Sequence, residues 1–102
     1  NRGYLHILLG DLEAAEADLK TCAEKEPTFL RARYNLALVT WLRGDRDAAL
    51  SLYRQARQLD KGDAEFRQHL EDFDEVAAHW PQADLTELRV QLTVAGKVSR
   101  KR

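Results

Sequence analysis

Residues 35–50, NLALVTWLRGDRDAAL, restate residues 1–16, NRGYLHILLGDLEAAE, at an offset of 34. Asn1 pairs with Asn35, Leu8 with Leu42, Gly10 with Gly44, Asp11 with Asp45, Ala14 with Ala48 and Ala15 with Ala49. Carried to Phe29/Asp63, the offset gives six identities in 29 pairs, against roughly two from ordinary composition. A recurrence of this length marks a chain built from stacked supersecondary units. A fainter third copy keeps Arg33/Arg67, Leu36/Leu70 and Ala49/Ala83.

Each unit reads as two antiparallel helices. Residues 30–43 are helix-forming and stop at Gly44, a residue that accepts the left-handed backbone of a helix end. Asp45 suits the start of the next helix, whose Ala49, Leu52, Tyr53, Ala56 and Leu59 recur at helical spacing. Asp60-Lys61-Gly62-Asp63 is a turn cluster. The earlier unit runs to Leu9, turns at Gly10-Asp11, and continues from Leu12 to about Lys25, where Pro27 ends it. In the third, Phe66, Leu70, Phe73, Ala77 and Trp80 form one stripe that Pro81 closes. Asp84-Leu85-Thr86-Glu87 then resembles a capping box, with Leu85, Leu88, Leu92 and Ala95 on a helical face and Gly96 as the stop. Leu88, Val90, Leu92 and Val94 also alternate as a strand would. A helix is favoured, because it completes a third pair and a lone strand has no sheet to join.

The chain has 102 residues, 44% hydrophobic and 32% charged, and a net charge of −1. That balance suits one globular array and excludes a disordered chain. No apolar run approaches the length of a membrane span. Cys22 is the single cysteine, so there is no intramolecular disulfide and no multi-cysteine metal site; it suits the cytoplasm and also fits the periplasm. The opening at Asn1, inside a helical pattern, reads as a segment of a longer protein.

The period and its fixed positions resemble the tetratricopeptide repeat. In the better copy Leu36-Ala37, Gly44-Asp45, Ala49, Tyr53, Ala56 and Leu59-Asp60 stand at the family's positions. In the earlier copy Gly3, Gly10-Asp11, Ala15, Leu19, Cys22 and Pro27 do so. Arg33 and Thr40 depart from it, since both places commonly hold aromatics. The resemblance implies an all-α fold of stacked antiparallel helix pairs, a right-handed solenoid. Its expected units are residues 1–29, residues 30–63, a degenerate or capping unit 64–97 and a basic tail 98–102. Ala15, Ala49 and Ala56 are small because paired helices approach closely, and Cys22, in the place of Ala56, is a small filler.

In this family the first helix of each pair lines a concave groove. Leu36, Val39 and Leu42 suffice to pack helix 30–43, yet Tyr34, Leu38 and Trp41 add a second stripe at i, i+4, i+7. Flanked by Arg31 and Asn35, that surplus suits the stacking area and directed hydrogen bonds of a peptide groove. The expected contact set is Tyr4, Arg31, Tyr34, Asn35, Leu38, Trp41 and His69, and the competing reading makes Trp41 core. Repeats that grip a C-terminal carboxylate need Lys, Arg and Asn at set places. Asn35 fits one of them, but Tyr4, Glu65 and His69 occupy three others, and Glu65 repels a carboxylate.

Charge alternates in blocks: −4 over residues 11–26, +4 over 30–61, −7 over 62–87 and +5 over 88–102. Solvated helix faces explain this, and opposite blocks also suit contacts between repeats or molecules. Arg100-Lys101-Arg102 lacks interleaved aromatics, which argues against a nucleic-acid or membrane patch. No phosphate loop, nucleophile motif or two-histidine metal spacing is present. Glu65, His69 and Asp72 share a helical face, which reads as polar surface and not as a metal site. The sequence therefore reads as a non-enzymatic protein-interaction module without catalytic residues or cofactors. The alternatives are a self-assembling scaffold segment and a regulatory segment of a larger protein.

Overall fold

The computed structural model describes residues 2–80 and 85–101, with side chains placed over 3–80 and 85–93. Six helices follow in order: α1 (Arg2–Leu8), α2 (Leu12–Lys25), α3 (Leu30–Leu42), α4 (Arg46–Leu59), α5 (Ala64–His79) and α6 (Leu85–Lys101). A 3-10 turn, Lys61–Asp63, precedes α5, and there is no strand among the described residues. None of the described helices is long and apolar enough to cross a membrane.

The sequence repeat is reproduced down to its hydrogen bonds. Gly10 and Gly44 both take positive φ, 85° and 99°, a backbone that costs glycine little. Behind them, the Gly10 and Asp11 amides donate to Ile7 and His6 carbonyls, while those of Gly44 and Asp45 donate to Trp41 and Thr40. The carboxylates of Asp11 and Asp45 then cap α2 and α4, accepting from the amides of Ala14 (3.1 Å) and Ala48 (3.2 Å). Ala15, Ala37, Ala49 and Ala56 are wholly buried between helices. Gly3, which stands at the Ala37 position, needs even more room: a Cβ there would lie 2.5 Å from Leu19 Cγ. Small residues thus set how closely the paired helices approach.

The third unit leaves the pattern at its first turn. Between α2 and α3, Glu26–Phe29 contains no left-handed residue, whereas Gly62 (φ 72°) and Asp63 (φ 57°) are consecutive left-handed residues. This geometry redirects α5. Its backbone keeps farther from α4 than α3 does from α2, and it packs on α3 and reaches α1. Near its end the Trp80 indole N–H donates to the Ile7 carbonyl (2.9 Å), and Tyr4 OH donates to Glu75 Oε1 (2.6 Å). From α6, Leu85, Leu88 and Leu92 join the same core.

At the C-terminal end residues 85–95 are helix, the favoured reading, and one expectation is corrected: α6 continues past Gly96 to Lys101, so residues 98–101 extend the helix. A glycine inside a helix costs only about 1 kcal/mol relative to alanine, and no proline follows to enforce a stop. The expected roles of Pro81, Ala83 and Asp84 lie outside the described residues.

Candidate partner-binding site

The site is built around α3, which α1, α2, α4 and α5 enclose. Its N-terminal half carries Tyr34, wholly buried, whose hydroxyl donates to Asp60 Oδ2 at 2.8 Å. The same oxygen accepts the Phe66 amide at 2.8 Å. Asp60 thereby caps α5 from outside it, while Asp63, the residue at the cap position, makes no capping bond and pairs with Arg57. Tyr34 stacks on the His69 ring with centroids 5.4 Å apart. The Tyr53 hydroxyl lies 2.7 Å from His69 Nε2, joining α4 to α5. Burial pushes the His69 imidazole down to about 3, so the ring is neutral at physiological pH. Burial, followed by the bond to Asp60, holds the Tyr34 phenol above its ordinary range. Burial raises the Tyr53 phenol too.

The groove expected from the surplus stripe is corrected by this packing. Tyr34, Asn35, Leu38, Trp41 and His69 are all buried, with Trp41 only 6% exposed. The stripe looked surplus because the packing requirement was counted for one neighbouring pair. In the fold α3 meets α2 and α4, and also α1 and α5. A helix enclosed in this way must be apolar around most of its circumference. Of the seven expected contact residues, Arg31 is exposed and Tyr4 is half-buried.

The structure does gather three of the seven at one place. Between α3 and α5 lies a shallow depression whose floor includes Tyr34 and His69 and whose rim holds Arg31, Glu65, Gln68 and Asp72. Arg31 forms no ion pair with another described residue, and Gln68 donates to Asp72 along α5 at 3.3 Å. One wall therefore offers a guanidinium and the other two carboxylates and an amide. Although Glu65, His69 and Asp72 all border the depression, no group of three or more His, Cys, Asp or Glu among the described residues closes into a metal-binding arrangement. Sequence reasoning missed Asp60 and Tyr53 as the pair that locks Tyr34 and His69 into the core. The resemblance gave each a place in the repeat, Leu59-Asp60 and the aromatic of the second helix, but not the partner it holds.

Residues 1–28 match the family model described as tetratricopeptide repeat. No curated protein and no solved structure matches the chain.

Proposed function

We propose that this chain, whose residues 1–28 match the tetratricopeptide repeat, is a repeat protein of that kind and holds a segment of a protein partner across the rim between α3 and α5. Such repeats mediate protein–protein contacts, and the family is typically non-enzymatic. One observation carries the finer reading. Arg31, without an ion pair among the described residues, shares with Glu65 and Asp72 the lining of a depression formed by the first helices of two successive units. The aromatic stripe supports this rim from beneath and does not touch the partner. The polar rim supplies orientation and charge selectivity, which act mainly on association rate and on the rejection of wrong partners.

Charge reversal on the rim tests the reading without disturbing the core, since Arg31 is exposed and Glu65 and Asp72 are half-buried. Affinity capture from the native extract is compared for wild type, Arg31→Glu and Glu65→Lys/Asp72→Lys, with helicity followed in parallel. A shared partner set lost by both variants supports the rim, and retention of that set by both overturns it. A second reading, self-association, draws on two exposed leucines, Leu5 (55% exposed) in α1 and Leu9 (80% exposed) just past its end. Light scattering over a concentration series tests it, and a mass fixed at one chain contradicts it.

A further inference from the structure

The two halves of α5 are held in different ways. The proximal half is locked from within, by Asp60 on the Phe66 amide and by Tyr53 on His69, both buried. The distal half lies toward α1 and has two polar ties there: Tyr4 OH to Glu75, which is exposed, and the half-buried Trp80 indole to the Ile7 carbonyl. Phe73, Val76 and Trp80 fall at i, i+3 and i+7, a single helical stripe. Phe73 and Val76 are buried in the shared core. The Trp80 ring reaches the α1–α2 turn at Gly10, where an added Cβ would stand 3.3 Å from it. On α3, Asn35 is buried and its Oδ1 has no hydrogen-bond partner among the described residues. The acceptor is open to a donor that α5 does not bring.

From these placements we infer that the distal half of α5 is an internal ligand of a helix-binding face made by α1 and α3. The outside partner that fits the face is an amphipathic helix. It carries bulky apolar residues at i, i+3 and i+7, an acceptor at i+2 for Tyr4, and a polar donor for Asn35. The left-handed turn at Gly62–Asp63 aims α5 at the face. The buried proximal half keeps it tethered while the distal half leaves. This inference rests on the reading that partners dock on the side of the first helices, but it concerns the α1 end, away from the Arg31 rim.

The test uses the full chain and Glu75→Ala/Trp80→Phe, which removes both ties from the α5 side, keeps an aromatic ring at residue 80 and leaves the face itself unchanged. Amide exchange is read along α5, and a labelled synthetic peptide of residues 64–80 is titrated by anisotropy. Loss of two hydrogen bonds should speed exchange over residues 74–80 roughly tenfold and leave residues 66–70 unchanged. Because apparent affinity scales with the fraction of open face, the peptide should bind the variant tighter by the same factor. Glu75→Ala, an exposed change that leaves the core intact, should give a smaller shift in both readouts. Unchanged or uniform exchange along α5 overturns the internal-ligand claim. Faster distal exchange without tighter peptide binding overturns the helix-binding claim. A variant that dimerises by itself makes a second copy the occupant and contradicts an outside helix. Rim variants that retain all partners would overturn the rim reading alone.

Discussion

Asp60→Ala should be among the most damaging single substitutions in the chain, although the position reads as an ordinary turn residue. Its Oδ2 accepts two buried donors at 2.8 Å, the Tyr34 hydroxyl and the Phe66 amide. Alanine leaves both unpaired in a site that is closed to water. Each stranded donor costs about 1–3 kcal/mol, so the expected loss is about 2–6 kcal/mol. Asp60→Asn keeps an oxygen in place and removes only the charge that strengthens both bonds, for a loss of about 1 kcal/mol. Tyr34→Phe removes one donor and leaves Asp60 its bond to α5, again about 1 kcal/mol. The double variant Tyr34→Phe/Asp60→Ala should be less damaging than the sum of its parts, because the phenylalanine no longer has a hydroxyl to strand. Urea unfolding at neutral pH, followed by far-UV circular dichroism, measures all four. An Asp60→Ala protein within about 0.5 kcal/mol of wild type would refute the reasoning, because it would mean that Tyr34 and the start of α5 are not held by this carboxylate.

Trp41→Ala should cost about 3–5 kcal/mol, as for other buried aromatics, and lower the thermal midpoint; an unaltered midpoint would return Trp41 to an open surface. His69 gives a pH dependence of defined sign. Its ordinary value of 6.5 falls to about 3 in the fold, so the unfolded chain takes up the proton first. Its contribution is complete above pH 6.5 and is lost as pH falls toward 3, at about 1.4 kcal/mol per unit, or about 2 kcal/mol by pH 5. His69→Gln should remove that slope from the stability profile, and an unchanged slope would place the proton elsewhere. Asn35→Leu should be neutral or stabilising in urea, since it removes a buried oxygen that lacks a partner among the described residues; a loss above about 1 kcal/mol would show that the amide makes a bond essential to the fold.

The helix pairs were legible because local chemistry writes them. Gly10-Asp11 and Gly44-Asp45 impose the same turn and the same cap wherever they occur, and the buried alanines follow from the 34-residue offset. The site was less legible for two reasons. Tyr34, Leu38 and Trp41 have helical spacing whether they face a partner or a neighbouring helix, so their periodicity cannot distinguish a groove from a core. What decides between them is the direction of α5, set by Gly62 and Asp63, and a turn cluster in sequence does not disclose its φ values. Asp60 illustrates the same gap. It holds Tyr34, 26 residues away, and the Phe66 amide together, and nothing local to residue 60 announces that. At the other end of the chain, Gly96 illustrates the reverse error, a stop signal overridden where nothing else opposed helix.

The core depends on α5 lying across α3, with Tyr34 and Tyr53 closed around His69. Proton–proton contacts in solution, by nuclear Overhauser spectroscopy on the full chain, test this directly. The ring centroids of Tyr34 and Tyr53 both stand 5.4 Å from that of His69, so cross-peaks from the His69 ring to both tyrosine rings are expected. Their absence, with the Tyr34 and Trp41 rings reached by a soluble paramagnetic agent, would contradict it and restore an open groove.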